Sequence, residues 1–101
     1  MIKTNKTIDT KIVDMILYIT GETENGINAV KHIKDVFGKH KIKYTLKIID
    51  ILKNPQIAEE ERILATPVLV KETPPPFRRV VGDLSDVETL VDTLSIGGLI
   101  T

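Results

Sequence analysis

The sequence predicts an α/β domain with one mixed four-stranded sheet and elements in the order βαβαββα. Three features predict it. An apolar strand, an amphipathic helix and a second β-rich run follow one another between Met15 and Asp50, which makes a βαβ unit with a right-handed crossover and parallel strands. A short helix opening at Asn54-Pro55 leads to a strand entered through Ala65-Thr66-Pro67. A proline-broken hairpin at Pro74-Pro75-Pro76 then precedes Arg78–Val81 and a capped terminal helix.

Met1 to Lys11 is polar and rich in Lys and Thr, with too few apolar side chains to be buried, and reads as a flexible tail before a domain of residues 12–101. Met15-Ile16-Leu17-Tyr18-Ile19 is almost continuously apolar, as a central strand covered on both faces must be. Thr20 to Asn25 breaks the run with turn formers. Ile27, Val30, Ile33, Val36 and Phe37 recur at three- and four-residue spacing, which gives a helix one buried stripe, and Gly38 is its expected stop. Tyr44–Asp50 is β-rich and partly alternating; in this topology it is an edge strand.

Asn54 is expected to cap the next helix through its side chain, with Pro55 in the first turn, where its missing amide costs nothing. Pro67–Lys71 is the third strand, with proline at its permitted first position. The three consecutive prolines fit neither a ladder nor a helix interior and must be a connection. Arg78–Val81 is a short fourth strand ended by Gly82-Asp83. Ser85 and Glu88 form a capping box, and Leu84, Val87, Leu90, Val91 and Leu94 give the last helix its stripe before Gly97-Gly98.

The chain has 101 residues and is 42% apolar, the size of one domain with a single core. Fourteen basic and fourteen acidic side chains cancel, which argues against the long-range positive field that non-specific nucleic-acid binding requires. The absence of cysteine excludes disulfides, thiolate metal ligands and thiol catalysis, and fits a reducing compartment. No apolar run approaches the ~20 residues that span a bilayer, and no signal peptide precedes the first strand. A soluble cytoplasmic protein is the expectation.

The element order is that of a thioredoxin-like domain. A redox member of that fold carries a C-x-x-C pair where the first strand hands over to the first helix, because the helix N-terminus lowers the thiol pKa. Here that turn reads Thr20-Gly21-Glu22-Thr23-Glu24-Asn25, so disulfide exchange is excluded. Thr66-Pro67 stands where such folds place a cis proline that shapes a binding surface. His32 and His40 have neither a second ligand at metal spacing nor a serine nucleophile nearby and read as solvated or packing residues. Glu59-Glu60-Glu61 reads as a solvated helix face. No catalytic residue, metal ligand or cofactor is assigned.

Two features suit a protein partner. Arg78 and Arg79 are neighbours on a strand, so they point to opposite faces and leave at least one guanidinium for an acidic group; the same pair also serves to discourage edge aggregation. Lys39, Lys41, Lys43 and Lys47 surround the second strand, whose edge offers backbone groups for strand addition and whose lysines equally protect against it.

The residues from Leu46 to Ser85 closely resemble KaiB, a family of small clock proteins. The resemblance rests on Leu46-Lys47-Ile48-Ile49-Asp50-Ile51-Leu52-Lys53-Asn54-Pro55-Gln56, on Ala58-Glu59-Glu60, on Ile63-Leu64-Ala65-Thr66-Pro67, and on Pro74-Pro75-Pro76 through Gly82-Asp83-Leu84-Ser85. Leu17-Tyr18-Ile19-Thr20-Gly21 and Asn28-Ala29-Val30 resemble the family's first strand and helix. The resemblance implies a non-enzymatic binding module that docks on the hexameric ATPase KaiC and competes with or recruits KaiA or a histidine kinase with a KaiB-like sensory domain. It also implies metamorphism, with a tetrameric βαββααβ packing as the alternative to a thioredoxin-like monomer and with the switch lying after Asp50.

The family pattern is left after Ser85, where Asp86-Val87-Glu88-Thr89 follows. The capping box and uninterrupted stripe favour a helix there, so a monomeric thioredoxin-like resting form is expected. The residues assigned to the partner face are Ile51, Lys53, Asn54, Pro55, Gln56, Thr66, Pro67, Arg78 and Arg79. The competing expectation is a cysteine-free sensory or adaptor module that contacts a histidine kinase or a stress-response partner.

Overall fold

The computed structural model describes residues 12–82; the tail expected over residues 1–11 and the helix expected from Ser85 lie outside them. The elements are β1 (Val13–Ile19), α1 (Glu24–Lys39), β2 (Tyr44–Asp50), α2 (Pro55–Glu60), β3 (Val68–Thr73) and β4 (Arg78–Val81). They build one four-stranded sheet in the order β2-β1-β3-β4. β1 runs parallel to β2 and antiparallel to β3, and β3 runs antiparallel to β4. A helix, not a strand, follows β2, as the thioredoxin-like order requires and the βαββααβ order does not.

The central place of β1 explains its composition. Val13, Met15 and Leu17 point to the α1 face and are buried with Ala29, Ile33, Val36, Phe37 and Leu69. Tyr18 points to the other face, where it packs with Ile63, Val68 and Val70 under Ile57 and Ala58 of α2. A strand covered on both sides has no solvent-facing register, hence its nearly unbroken apolar run. β1 starts two residues earlier than the run suggests, because Val13 already pairs with Tyr44, and β3 extends from Val68 to Thr73.

α1 opens with Thr23, whose Oγ1 accepts the Gly26 amide at 3.1 Å. The buried stripe starts at Gly26, not at Ile27, which is 53% exposed. The reason is close approach: a Cβ on Gly26 would lie 3.3 Å from Ile19 Cγ2, so the helix rests on the strand end through a residue without a side chain. Ala29 takes the next place in the stripe. Gly38 does not stop the helix, which runs on to Lys39. The stop is made by Lys41 at φ 54°: its amide bonds the Gly38 carbonyl at 3.2 Å, and the Ile42 amide bonds the Phe37 carbonyl at 2.9 Å. That is a Schellman motif, with Ile42 closing it into the core.

α2 ends the same way. Arg62 has φ 55°, the Ile63 amide bonds the Ala58 carbonyl at 2.8 Å and the Arg62 amide bonds that of Glu59 at 3.3 Å. Buried Ile63 supplies the accompanying apolar contact. At the other end Asn54 is not a side-chain cap, contrary to expectation. Its Nδ2 donates to the Asp50 carbonyl at 3.0 Å, because the turn after β2 brings that acceptor within reach first.

Candidate partner-binding site

The strand ends of β1 and β2, the start of α2 and the entry to β3 converge at one end of the sheet. The parallel ladder runs past the strands, since the Ile51 amide bonds the Ile19 carbonyl at 2.9 Å. Asp50 then ties the two exits together: its Oδ1 accepts the Gly21 amide and the Leu52 amide, each at 2.9 Å. These two donors hold the Asp50 carboxyl below its ordinary value of 3.8, because they stabilise the ionised form. Gly21 has φ 63°, and a Cβ there would also lie 3.3 Å from Leu52 Cδ1. Both the left-handed conformation and the closeness of Leu52 therefore favour glycine at the turn.

Thr20 Oγ1 lies 2.6 Å from Thr66 Oγ1, so the turn that would hold thiols in a redox enzyme is hydrogen-bonded to the β3 entry. The Thr66–Pro67 peptide is cis, as are Thr73–Pro74 and Pro75–Pro76. Lys53, Asn54, Pro55, Gln56, Ile57 and Glu60 line a shallow depression of about 480 Å³. The structure thus brings Lys53–Gln56 and Thr66-Pro67 to one end of the domain.

Four expected residues stand differently. Pro67 is buried at the entry to β3, so it shapes the surface without being offered on it. Ile51 is half-buried and packs against the Tyr18, Ile63, Val68 and Val70 cluster, so it supports the surface from beneath. Arg79 donates from Nη2 to the Glu61 carbonyl at 2.7 Å and the Arg62 carbonyl at 3.3 Å. It satisfies the C-terminus of α2, where a cation is also favoured by the helix dipole. Arg78 pairs in register with Lys71 and so projects from the opposite sheet face, towards α1 and away from α2. Its one hydrogen bond among the described residues is to the Phe77 carbonyl, at 3.0 Å.

Leu52 and Leu64 were missed by sequence reasoning. They are 66% and 95% exposed; Leu52 lies against the turn at Gly21, and Leu64 stands two residues before Thr66. The signal was available: each is an apolar residue one or two positions outside a predicted element, where burial has no periodicity to enforce it. Among the described residues no group of three His, Cys, Asp or Glu is placed to hold a metal, and no helix is long and apolar enough to cross a membrane.

Comparison with known proteins agrees with this architecture. A solution structure of the N-terminal domain of Synechococcus elongatus SasA superposes with a TM-score of 0.68 at 23% identity, covering 84% of this chain and 85% of that one. Chloroplastic thioredoxin z superposes at 0.66 with 15% identity, covering 89% and 84%. These likenesses show the fold. The circadian clock oscillator protein KaiB of Prochlorococcus marinus (strain MIT 9303) is 49% identical over 79% of this chain and 68% of its own length. The protein of that name from Rippkaea orientalis is also 49% identical, over 79% and 78%. The KaiB domain matches residues 16–96, and with that the chain belongs to the KaiB family of circadian clock proteins.

Proposed function

We propose that this protein is a non-enzymatic regulator that binds a KaiC-type hexameric ATPase and, once bound, competes with or recruits further clock proteins. The observation that carries the reading is the 49% identity to KaiB clock proteins over 79% of the chain. The matched KaiB domain, residues 16–96, spans the Asp50–Gln56 and Ala65-Thr66-Pro67 segments, which meet at one end of the sheet. The contacting residues are Lys53, Asn54, Pro55, Gln56 and half-buried Thr66, with Arg78 on the far edge of the sheet; Ile51, Arg79 and buried Pro67 hold that surface in shape. The free protein is a cytoplasmic monomer in the thioredoxin-like packing.

The test is size-exclusion chromatography of the full chain mixed with the KaiC-type ATPase of its own genome, with the free protein run alongside. Co-elution supports the reading, and Lys53→Ala or Arg78→Ala then weakens it without changing the far-ultraviolet circular dichroism. Arg79→Ala is a poorer probe, since it also uncaps α2. A folded monomer that never co-elutes with any such ATPase overturns the proposal.

A further inference from the structure

We infer that the free edge of β4 takes up an extended acidic segment of another protein as an added strand, with a carboxylate set against Arg78. The inference does not rest on the ATPase reading, and its test uses no ATPase.

The geometry comes from the ladder. The Gly82 amide bonds the Pro67 carbonyl at 3.0 Å, and β4 pairs with β3 in the register Val68↔Val81, Leu69↔Val80, Val70↔Arg79 and Lys71↔Arg78. In an antiparallel pair, residues that exchange backbone hydrogen bonds alternate with residues that do not. Gly82, Val80 and Arg78 therefore bond to β3, while Arg79 and Val81 aim their amides and carbonyls away from it. Among the described residues β4 is an outer strand, with nothing paired beyond it. Phe77 and Val81, at the two ends of this edge, are each 58% exposed. Unpaired backbone groups flanked by exposed apolar side chains are what strand addition uses.

The charge selects the occupant. Lys71 and Arg78 are direct cross-strand partners, so both side chains leave the same face of the sheet, and like charges in that position repel. Lys71 is fully buried, and its Nζ has no hydrogen-bond partner among the described residues. Arg78 is exposed and bonds only its neighbour's carbonyl there. A strand added to β4 places every second side chain beside Arg78 and Val80. A glutamate or aspartate opposite Arg78 gives a charge-assisted pair and offsets the cation that Lys71 feels. Arg78 likewise disfavours a second β4 at this edge, because a copy of the strand carries no acid.

The test is nuclear magnetic resonance on the full chain with a capped peptide of alternating valine and glutamate, and its valine–lysine counterpart as control. The inference expects the Arg79 and Val81 amides to shift and exchange more slowly with the glutamate peptide only. Val81→Pro removes one outward donor and leaves the β3 ladder intact, as proline on an edge strand does; it should weaken binding at least about tenfold, the loss of one hydrogen-bonded rung. Arg78→Glu should abolish binding of the glutamate peptide and admit the lysine one, and it decides the matter should Val81→Pro fail to fold. Shifts confined to β2, equal binding of the two peptides, or no shift in β4 would each overturn the inference.

Discussion

Asp50 Oδ1 accepts the Gly21 amide at 2.9 Å, joining the exits of two parallel strands through one carboxylate oxygen. The same oxygen takes the Leu52 amide, so a single side chain sets the turn into α1 and the turn into α2. Asp50→Ala should therefore loosen both. Amide exchange is expected to accelerate at Gly21 and Leu52 and to stay unchanged at Ile33 in the middle of α1. Asp50→Asn keeps an oxygen acceptor and should restore part of the protection. Unaltered exchange at Gly21 in the alanine variant would show that the turn holds by itself.

That contact also marks the boundary of what could be read from residues alone. Periodicity located β1, α1 and β2, because burial on one or both faces imposes a pattern on the chain, and the breakers on either side located β4. It misplaced the start of the α1 stripe, since Gly26 contributes to packing by lacking a side chain and leaves no apolar signal. The stop of α1 was misread for a related reason: glycine is the usual left-handed residue, and here Lys41 takes that role, as Arg62 does after α2. In the site, Asn54-Pro55 and Thr66-Pro67 were visible as turn chemistry. The capture of Arg79 by the end of α2 was not visible, because it joins residues 17 and 18 positions apart through backbone carbonyls that every residue type carries.

α1 and α2 are each followed by a basic residue with positive φ, 54° at Lys41 and 55° at Arg62, a conformation that costs a side chain of order 1–3 kcal/mol. Glycine adopts it freely and gives back about 0.4–1 kcal/mol through the greater freedom of its unfolded chain. Lys41→Gly should therefore stabilise the fold by about 1 kcal/mol, a rise of about 4–8 °C in Tm for a domain of this size. Arg62→Gly should act in the same direction. Thermal melts of the two variants and the parent check this, and a lower Tm for Lys41→Gly would mean that its side chain contributes more than the strain costs.

Asp14 staples three strands. One oxygen accepts Thr45 Oγ1 of β2 and the other Thr73 Oγ1 of β3, each at 2.6 Å, and the two hydroxyls hold its carboxyl below the ordinary 3.8. A carboxyl depressed in the folded state contributes stability above its unfolded value and loses it as pH falls through the folded one. The contribution is complete at neutral pH and disappears below 3.8. Asp14→Asn should lower Tm at pH 7, and its deficit relative to the parent should shrink as melts are repeated towards pH 2. A deficit independent of pH would show that packing, not the ionised carboxylate, holds the strands.

Lys71 is the converse case, an amine that folding disfavours. It is fully buried in the face that packs against α1, and burial, then Arg78, pushes its pKa below the ordinary 10.5. An unsatisfied buried donor costs about 1–3 kcal/mol, and more when charged, so Lys71→Met, which keeps the length and removes the charge, should raise Tm at pH 7. The sign of the pH dependence follows from proton counting. Between the depressed folded value and 10.5 the unfolded chain binds more protons, so the parent gains stability as pH rises through that window. The methionine variant lacks this gain, and its advantage should narrow towards pH 10.5. If Lys71→Met lowered Tm at neutral pH, the amine would have to be stabilising the fold in its charged form, and the strand proposed at β4 would lose its reason to be acidic.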